Sequence, residues 1–405
     1  MQALLVLLAI GALSVLASNR RLLEAGRFLN LAQLSASGLS FLAIGVVLGP
    51  RALGLLGTKD LAALRPIVAL GLGLGGLMMG LNLDLRVLRR LPTQVYRAAL
   101  LQSGLGFVVV TVPLAGLLFA TAHFALPEAL GAAALLGAAA SISSGHLAVL
   151  WSRSGRLERS RGLSVALLAM LDDLIGVMVL AVALVLGASS SLGGGLGLVA
   201  LAVLLGLACG ALIAFLAHTV TESAELAAIL LGGLALVSGA AAYLRVSALI
   251  AGLACGAVLA LVGGRAEGAM YRSLLKVERP AYLMLVFLIG AHVDPRNAAT
   301  WAIVPVFVSL RFLGKVLGGR LAGTALRGVL VVPPRLGYAL IAQGGVSLCV
   351  VTEYLFLVPS AGSELVFSVA ALAALANEAL AARAFPSSLT YRESAAASGP
   401  EASSG

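Results

Sequence analysis

Along almost the whole chain, runs of apolar residues alternate with short arginine clusters and Gly/Pro/Ser stretches. The runs are continuous and lack the apolar/polar alternation of barrel strands. A hydrocarbon core about 30 Å thick asks for about 20 apolar residues per helix, so each run is read as one crossing. Cutting at the polar clusters predicts thirteen spans. They are 2–17, 34–48, 66–83, 100–120, 130–150, 163–186, 196–216, 226–244, 246–262, 279–291, 301–319, 336–355 and 365–382. The expected fold class is an all-α polytopic membrane protein, because lipid leaves backbone groups no partner outside a helix or a closed barrel.

Composition sharpens this reading. Hydrophobic residues make up 60% of the 405 and charged residues 11%, against about 25% charged in a soluble domain. Lipid is therefore the expected surroundings of the surface. The net charge of +10 does not gather in a patch that would bind nucleic acid. Twenty of the 27 Lys and Arg residues follow odd-numbered spans or lie in the tail, five follow even-numbered spans, and Arg311 and Lys315 fall within one. By the positive-inside rule the N-terminus lies outside and the C-terminus in the cytoplasm. The first span has no basic n-region and is followed by Arg20 and Arg21, so it reads as a retained helix. Cys209, Cys255 and Cys349 each sit inside an apolar run without metal-ligand spacing, as structural thiols do.

An internal echo adds topology. GLNLDLR (Gly80, Asp84, Arg86) closes the third span and GAHVDPR (Gly290, Asp294, Arg296) the tenth, at a constant offset of 210. Seven spans separate the copies, so they point in opposite directions, as in the inverted repeats of secondary transporters. The segment after Phe385 is rich in Ser, Ala and Gly and is expected to be a disordered tail.

The chemistry lies where the apolar pattern is broken. Asp172 and Asp173 sit nine or ten residues into the sixth span, about 14 Å deep at 1.5 Å per residue. Each costs about 2.5 to 3.5 kcal/mol there, so intramembrane acids face a partner, a cavity or an ion path. Carboxylates whose charge must be met by protons or cations suit a site that exchanges one for the other. Arg311 and Lys315, spaced i, i+4 in the eleventh span, are the expected charge partners. The fifth span carries ASISSGHLAVL and the twelfth LIAQGGVSLCV, both with small polar residues where a regular helix is expected. Local unwinding there would present Ser141, Ser143, Ser144, His146, Gln343, Gly344 and Gly345 as ligands, beside helix ends with partial charges of both signs. His292 and Glu378 are placed near helix ends, Glu378 beside Arg383.

Other functions fit less well. Ser144 and His146, at i, i+2, could act as a hydrolytic pair only if the helix is broken, and adjacent Asp172 and Asp173 diverge too much to share a proton as a protease dyad does. Two deep acids would repel an organic anion. No enzyme activity and no cofactor are expected.

In order along the chain, IGVVLGPRALGLL, GLMMGLNLDLRVLRR, LDDLIGV, YLRVSALIAGLACGAVLA, ERPAYLMLVFLIGAHVDP and FLGKVLG resemble the monovalent cation:proton antiporter superfamily. The likeness is to its antiporter-2 branch and the electrogenic bacterial sodium/proton antiporters. It implies an inverted-repeat fold with two crossing unwound helices. Asp173 then matches the ion-binding aspartate that carries the transported monovalent cation, Asp172 its neighbour, and Lys315 the lysine that pairs with the first acid. It further implies sodium exchanged for protons, two protons per sodium, by a homodimer in the bacterial inner membrane. Core repeats at 93–190 and 297–385 would move against scaffold helices at 1–92 and 221–296, with a linker at 191–220 and a tail at 386–405. SSGHL departs from the family's crossing segments by adding His146, which leaves open sodium, lithium or potassium. The alternative is a potassium/proton antiporter or a potassium efflux channel on the same fold, the channel differing in flux without proton coupling.

Overall fold

The computed structural model describes residues 2–17, 38–83, 88–121, 124–153, 155, 157–189, 191–220, 223–262 and 264–388. Among the described residues the regular structure is helical throughout, without a strand. Each of the thirteen spans meets a helix or a pair of half-helices. In chain order these are α1 (Gln2–Ala17), α2 (Leu39–Leu48), a short α3 (Thr58–Ala63), α4 (Arg65–Asn82) and α5 (Thr93–Thr121). The fifth span divides into α6 (Leu126–Ser141) and α7 (His146–Arg153). Then come α8 (Arg159–Gly187), α9 (Leu192–His218), α10 (Ser223–Leu244), α11 (Ala248–Val262), α12 (Gly264–His292) and α13 (Ala298–Ala325). The twelfth span divides into α14 (Leu336–Ala339) and α15 (Gly345–Leu357), and α16 (Ala361–Ala384) closes the series before a 3-10 turn at Pro386–Ser388.

Among the described residues eight stretches are long and apolar enough to cross a membrane, the divided fifth span counted as one, and α2, α11 and α15 are shorter apolar helices. Polarity is arranged inside out. Leu100, Val112, Met178, Val182, Leu186 and Phe215 are exposed, while Asp172, Arg311, Lys315, Glu353, Asn377 and Glu378 are buried. A chain dissolved in lipid buries what lipid will not take.

Several boundaries differ from the sequence reading, α5 beginning at Thr93 and not at 100, and α13 running to Ala325 and not to 319. The helix of the tenth span, α12, begins at Gly264 rather than Arg279, because backbone hydrogen bonding continues through a polar segment that apolar content alone excludes. The short helix α3, capped by Asp60 accepting from the Gly57 N–H at 2.9 Å, lies in what reads as a loop. Asp84 and Arg86 of the internal echo fall outside the described residues, as does the tail from 389. Asp294, in the other copy, pairs with Arg51 at 3.5 Å.

Helices approach closely where both surfaces are glycine, since dispersion and not water-driven burial holds helices together in lipid. The pair α4 and α11 is the clearest case: a Cβ added to Gly80 would lie 2.8 Å from the Gly256 Cα, and one added to Gly256 would lie 3.0 Å from the Gly80 Cα. Gly45 and Gly290 play the same part between α2 and α12. Another set packs α13 on α5, α5 on α6, α6 on α8, and α16 on α13 and α15. Within that set the order long helix, broken helix, long helix occurs twice, as α5 to α8 and as α13 to α16.

Candidate functional site

Where Ile142 to Gly145 and Leu340 to Gly344 leave helical geometry, the two breaks cross. The Ser144 N–H donates to the Ala342 carbonyl at 2.9 Å, and a Cβ on Gly344 would lie 2.9 Å from that of Ser144, so only glycine permits the approach. The crossing juxtaposes the carbonyl ends of α6 and α14 with the N–H ends of α7 and α15. Carbonyls at a helix end lack intrahelical donors and carry partial negative charge.

The two cations of α13 answer those carbonyls. Arg311 Nη2 donates to Ile142 O at 2.8 Å and Ala342 O at 3.3 Å, and Nη1 donates to Ile341 O. Lys315, one turn on, donates to Ser141 O and to Ser143 Oγ at 2.6 Å. Both cations are 0% exposed. Arg311 therefore reaches the backbone of the breaks and not a carboxylate, which differs from its expected place as a charge partner of the acids. Replacing Arg311 by Met should leave buried carbonyls short of donors at about 1 to 3 kcal/mol each. The variant is expected to melt well below wild type in detergent, and Arg311→Lys to recover only part, because an ammonium cannot reproduce the planar fork. An unchanged melting point would contradict this role.

The adjacent acids of α8 separate onto two faces, as residues about 100° apart on a helix must. Asp172 turns inward: Ser103 Oγ of α5 donates to its Oδ1, Ser143 Oγ donates to its Oδ2 at 2.7 Å, and Lys315 Nζ lies 3.4 Å away. Asp173 turns toward open space, with Oδ1 buried and without a hydrogen-bond partner among the described residues. It lines a cavity of about 340 Å³ together with Asn82, Ser144, Tyr282 and Glu378. It also lines a second cavity, of about 630 Å³, that runs along Met170, Leu167 and Leu163 toward the Arg-rich start of α8. Ser144, Gly344 and Gly345 line both, so those expected crossing ligands gather at Asp173, while Ser143 is engaged by Asp172 and Lys315.

Three side chains lie where the sequence reading did not put them. Glu378 is 2% exposed and its Oε1 lies 2.7 Å from His146 Nε2, not beside Arg383 at a helix end, because α16 carries it inward to the crossing. The break also brings Ser144 Oγ within 2.7 Å of His146 Nδ1, although i, i+2 side chains of an intact helix diverge. Asn377 Nδ2 donates to Gln343 Oε1 at 2.7 Å, so consecutive residues of α16 grip both breaks. The sequence signal was Asn-Glu inside an alanine-rich run, as Gln102-Ser103 is inside the fourth span. Buried Glu353 accepts the Ala248 N–H at 2.7 Å and caps α11.

A family model described as sodium/hydrogen exchanger, transmembrane, matches residues 29–388. Among solved structures, that of the sodium proton antiporter MjNhaP1 from Methanocaldococcus jannaschii at pH 8 is similar, with a TM-score of 0.59 over 96% of this chain and 97% of that one. At 13% identity the likeness is one of fold. No curated protein sequence matches significantly.

Proposed function

The chain belongs to the sodium/hydrogen exchanger family, and on that premise we propose that its cation is sodium and that sodium and protons take turns at Asp173. Membership makes it a multi-pass membrane antiporter for a cation and protons, within the monovalent cation:proton antiporter superfamily, and not an enzyme. The observation that carries the finer reading is the division of labour between the acids: Asp172 has its charge met by Lys315 and two serines, whereas Asp173 faces a cavity with an unpartnered oxygen. An unmet carboxylate in a low-dielectric cavity takes up either a proton or a metal cation.

The cavity lies between α4 and α12 on one side and α8, α15 and α16 on the other. Sliding of the core, 93–190 with 297–385, against the scaffold, 1–92 with 221–296, would carry Asp173 from one face of the membrane to the other. With the Arg-rich loops in the cytoplasm of a bacterial inner membrane, the second cavity, which runs toward the start of α8, would be the inward path. The resemblance implies two protons per sodium and so an electrogenic exchange, the second proton being the one carried by the Asp172–Lys315 pair. A homodimer whose scaffold helices face each other would leave the core free to move.

Proteoliposomes holding the full chain test this reading. Sodium pulses are expected to drive proton movement that a membrane potential accelerates, with lithium close behind and potassium weak. A potassium response equal to that of sodium would move the assignment to potassium/proton exchange, and cation flux without proton movement would make it a channel.

A further inference from the structure

Ser144 lines both of the cavities that Asp173 lines, its backbone N–H already given to Ala342. A serine hydroxyl has one hydrogen and two lone pairs, and it can serve a cation only while its hydrogen points elsewhere. Where that hydrogen goes is decided by His146, whose Nδ1 lies 2.7 Å from Ser144 Oγ. Glu378 stands where it can decide the state of His146: its Oε1 lies 2.7 Å from Nε2, an ion-pair contact and not an aligned hydrogen bond. A carboxylate at Nε2 keeps the imidazole proton there and leaves Nδ1 bare, so that Nδ1 accepts the serine hydrogen. Both lone pairs of Ser144 are then left for the cavity. Carboxylate–histidine pairs beside metal sites fix a ligand by the same logic, although here the ligand is the serine that histidine holds.

We propose that His146 and Glu378 are positioning residues that aim the Ser144 hydroxyl oxygen at the transported alkali cation and so set the affinity for it. The proposal rests on the reading of Asp173 as the cation site. It accounts for the histidine in SSGHL and the acid in the last membrane helix as one device. The neighbouring Asn377 bonds Gln343, which ties this turn of α16 to the second break. A pair that merely cross-linked α7 to α16 would support the fold but leave cation affinity alone.

The test is sodium-driven proton flux in proteoliposomes of the full chain, read as the half-saturating sodium concentration, with melting measured alongside. Ser144→Ala and His146→Ala are each expected to raise that concentration about tenfold, the equivalent of one ligand at about 1.4 kcal/mol. The double variant should be no worse than Ser144→Ala, since the histidine acts only through the serine. Glu378→Ala, which leaves Nε2 without an acceptor, should raise it as well. His146→Asn, whose amide oxygen can stand where Nδ1 stood and accept the same hydrogen, should restore most of the affinity. Unchanged affinity in His146→Ala, multiplied effects in the double variant, or failure of His146→Asn in a folded protein would overturn the proposal. A wild type without proton-coupled flux, or one whose flux survives Asp173→Asn, would instead overturn the reading of the site.

Discussion

Asp173→Asn is expected to reduce cation-driven proton movement to the rate of protein-free liposomes while leaving the protein folded. Asparagine matches aspartate in size, so the wall of the cavity is preserved. It carries neither an exchangeable proton nor a negative charge, and Asp172, engaged by Lys315, Ser103 and Ser143, is turned away from the cavity and cannot substitute. Removing a partnerless buried charge relieves a desolvation cost, so the melting point should hold or rise. Flux measured with a pH-sensitive dye, beside a melting curve, separates this outcome from simple misfolding. Asp172→Asn makes the contrast, because it keeps the Asp173 carboxylate but takes the counter-charge from Lys315.

Lys315→Met should produce a large loss of stability. Lys315 is 0% exposed and joins α13 to the first break and to Asp172. Removing one partner of a buried ion pair leaves the other uncompensated, at a cost of about 3 to 5 kcal/mol, whereas replacing both by neutral residues of similar volume can be nearly neutral. The Asp172→Asn, Lys315→Met double variant is therefore expected to unfold at higher temperature or denaturant concentration than Lys315→Met alone. A double variant no more stable than the single would mean that Lys315 acts through the carbonyl of Ser141 and not through the acid.

Much of this site was legible because lipid makes polar residues conspicuous. Asp172, Asp173 and Lys315 stand out in apolar runs, and Ser143-Ser144-Gly145 and Gln343-Gly344-Gly345 mark the breaks, since small polar residues there do not favour a continuous helix. The partnerships were less legible. Arg311 looks like a counter-ion by its spacing from Lys315, but the carbonyls it serves exist only after both helices unwind and meet. His146 and Glu378 are 232 positions apart, and no local period relates them. Helix ends such as the start of α12 are hidden for another reason: helical hydrogen bonding continues through polar residues, where apolar content stops. The core repeats at 93–190 and 297–385 rested on the family resemblance alone, since the likeness of α5–α8 to α13–α16 lies in the order of long and broken helices more than in shared residues.

The most direct measurement titrates sodium into purified protein in weakly buffered detergent at fixed pH and counts the protons set free. Sodium binding should release protons from wild type, and the release should vanish in Asp173→Asn. Sodium that binds without releasing protons, or a release that persists when Asp173 is gone, would contradict competition at this carboxylate.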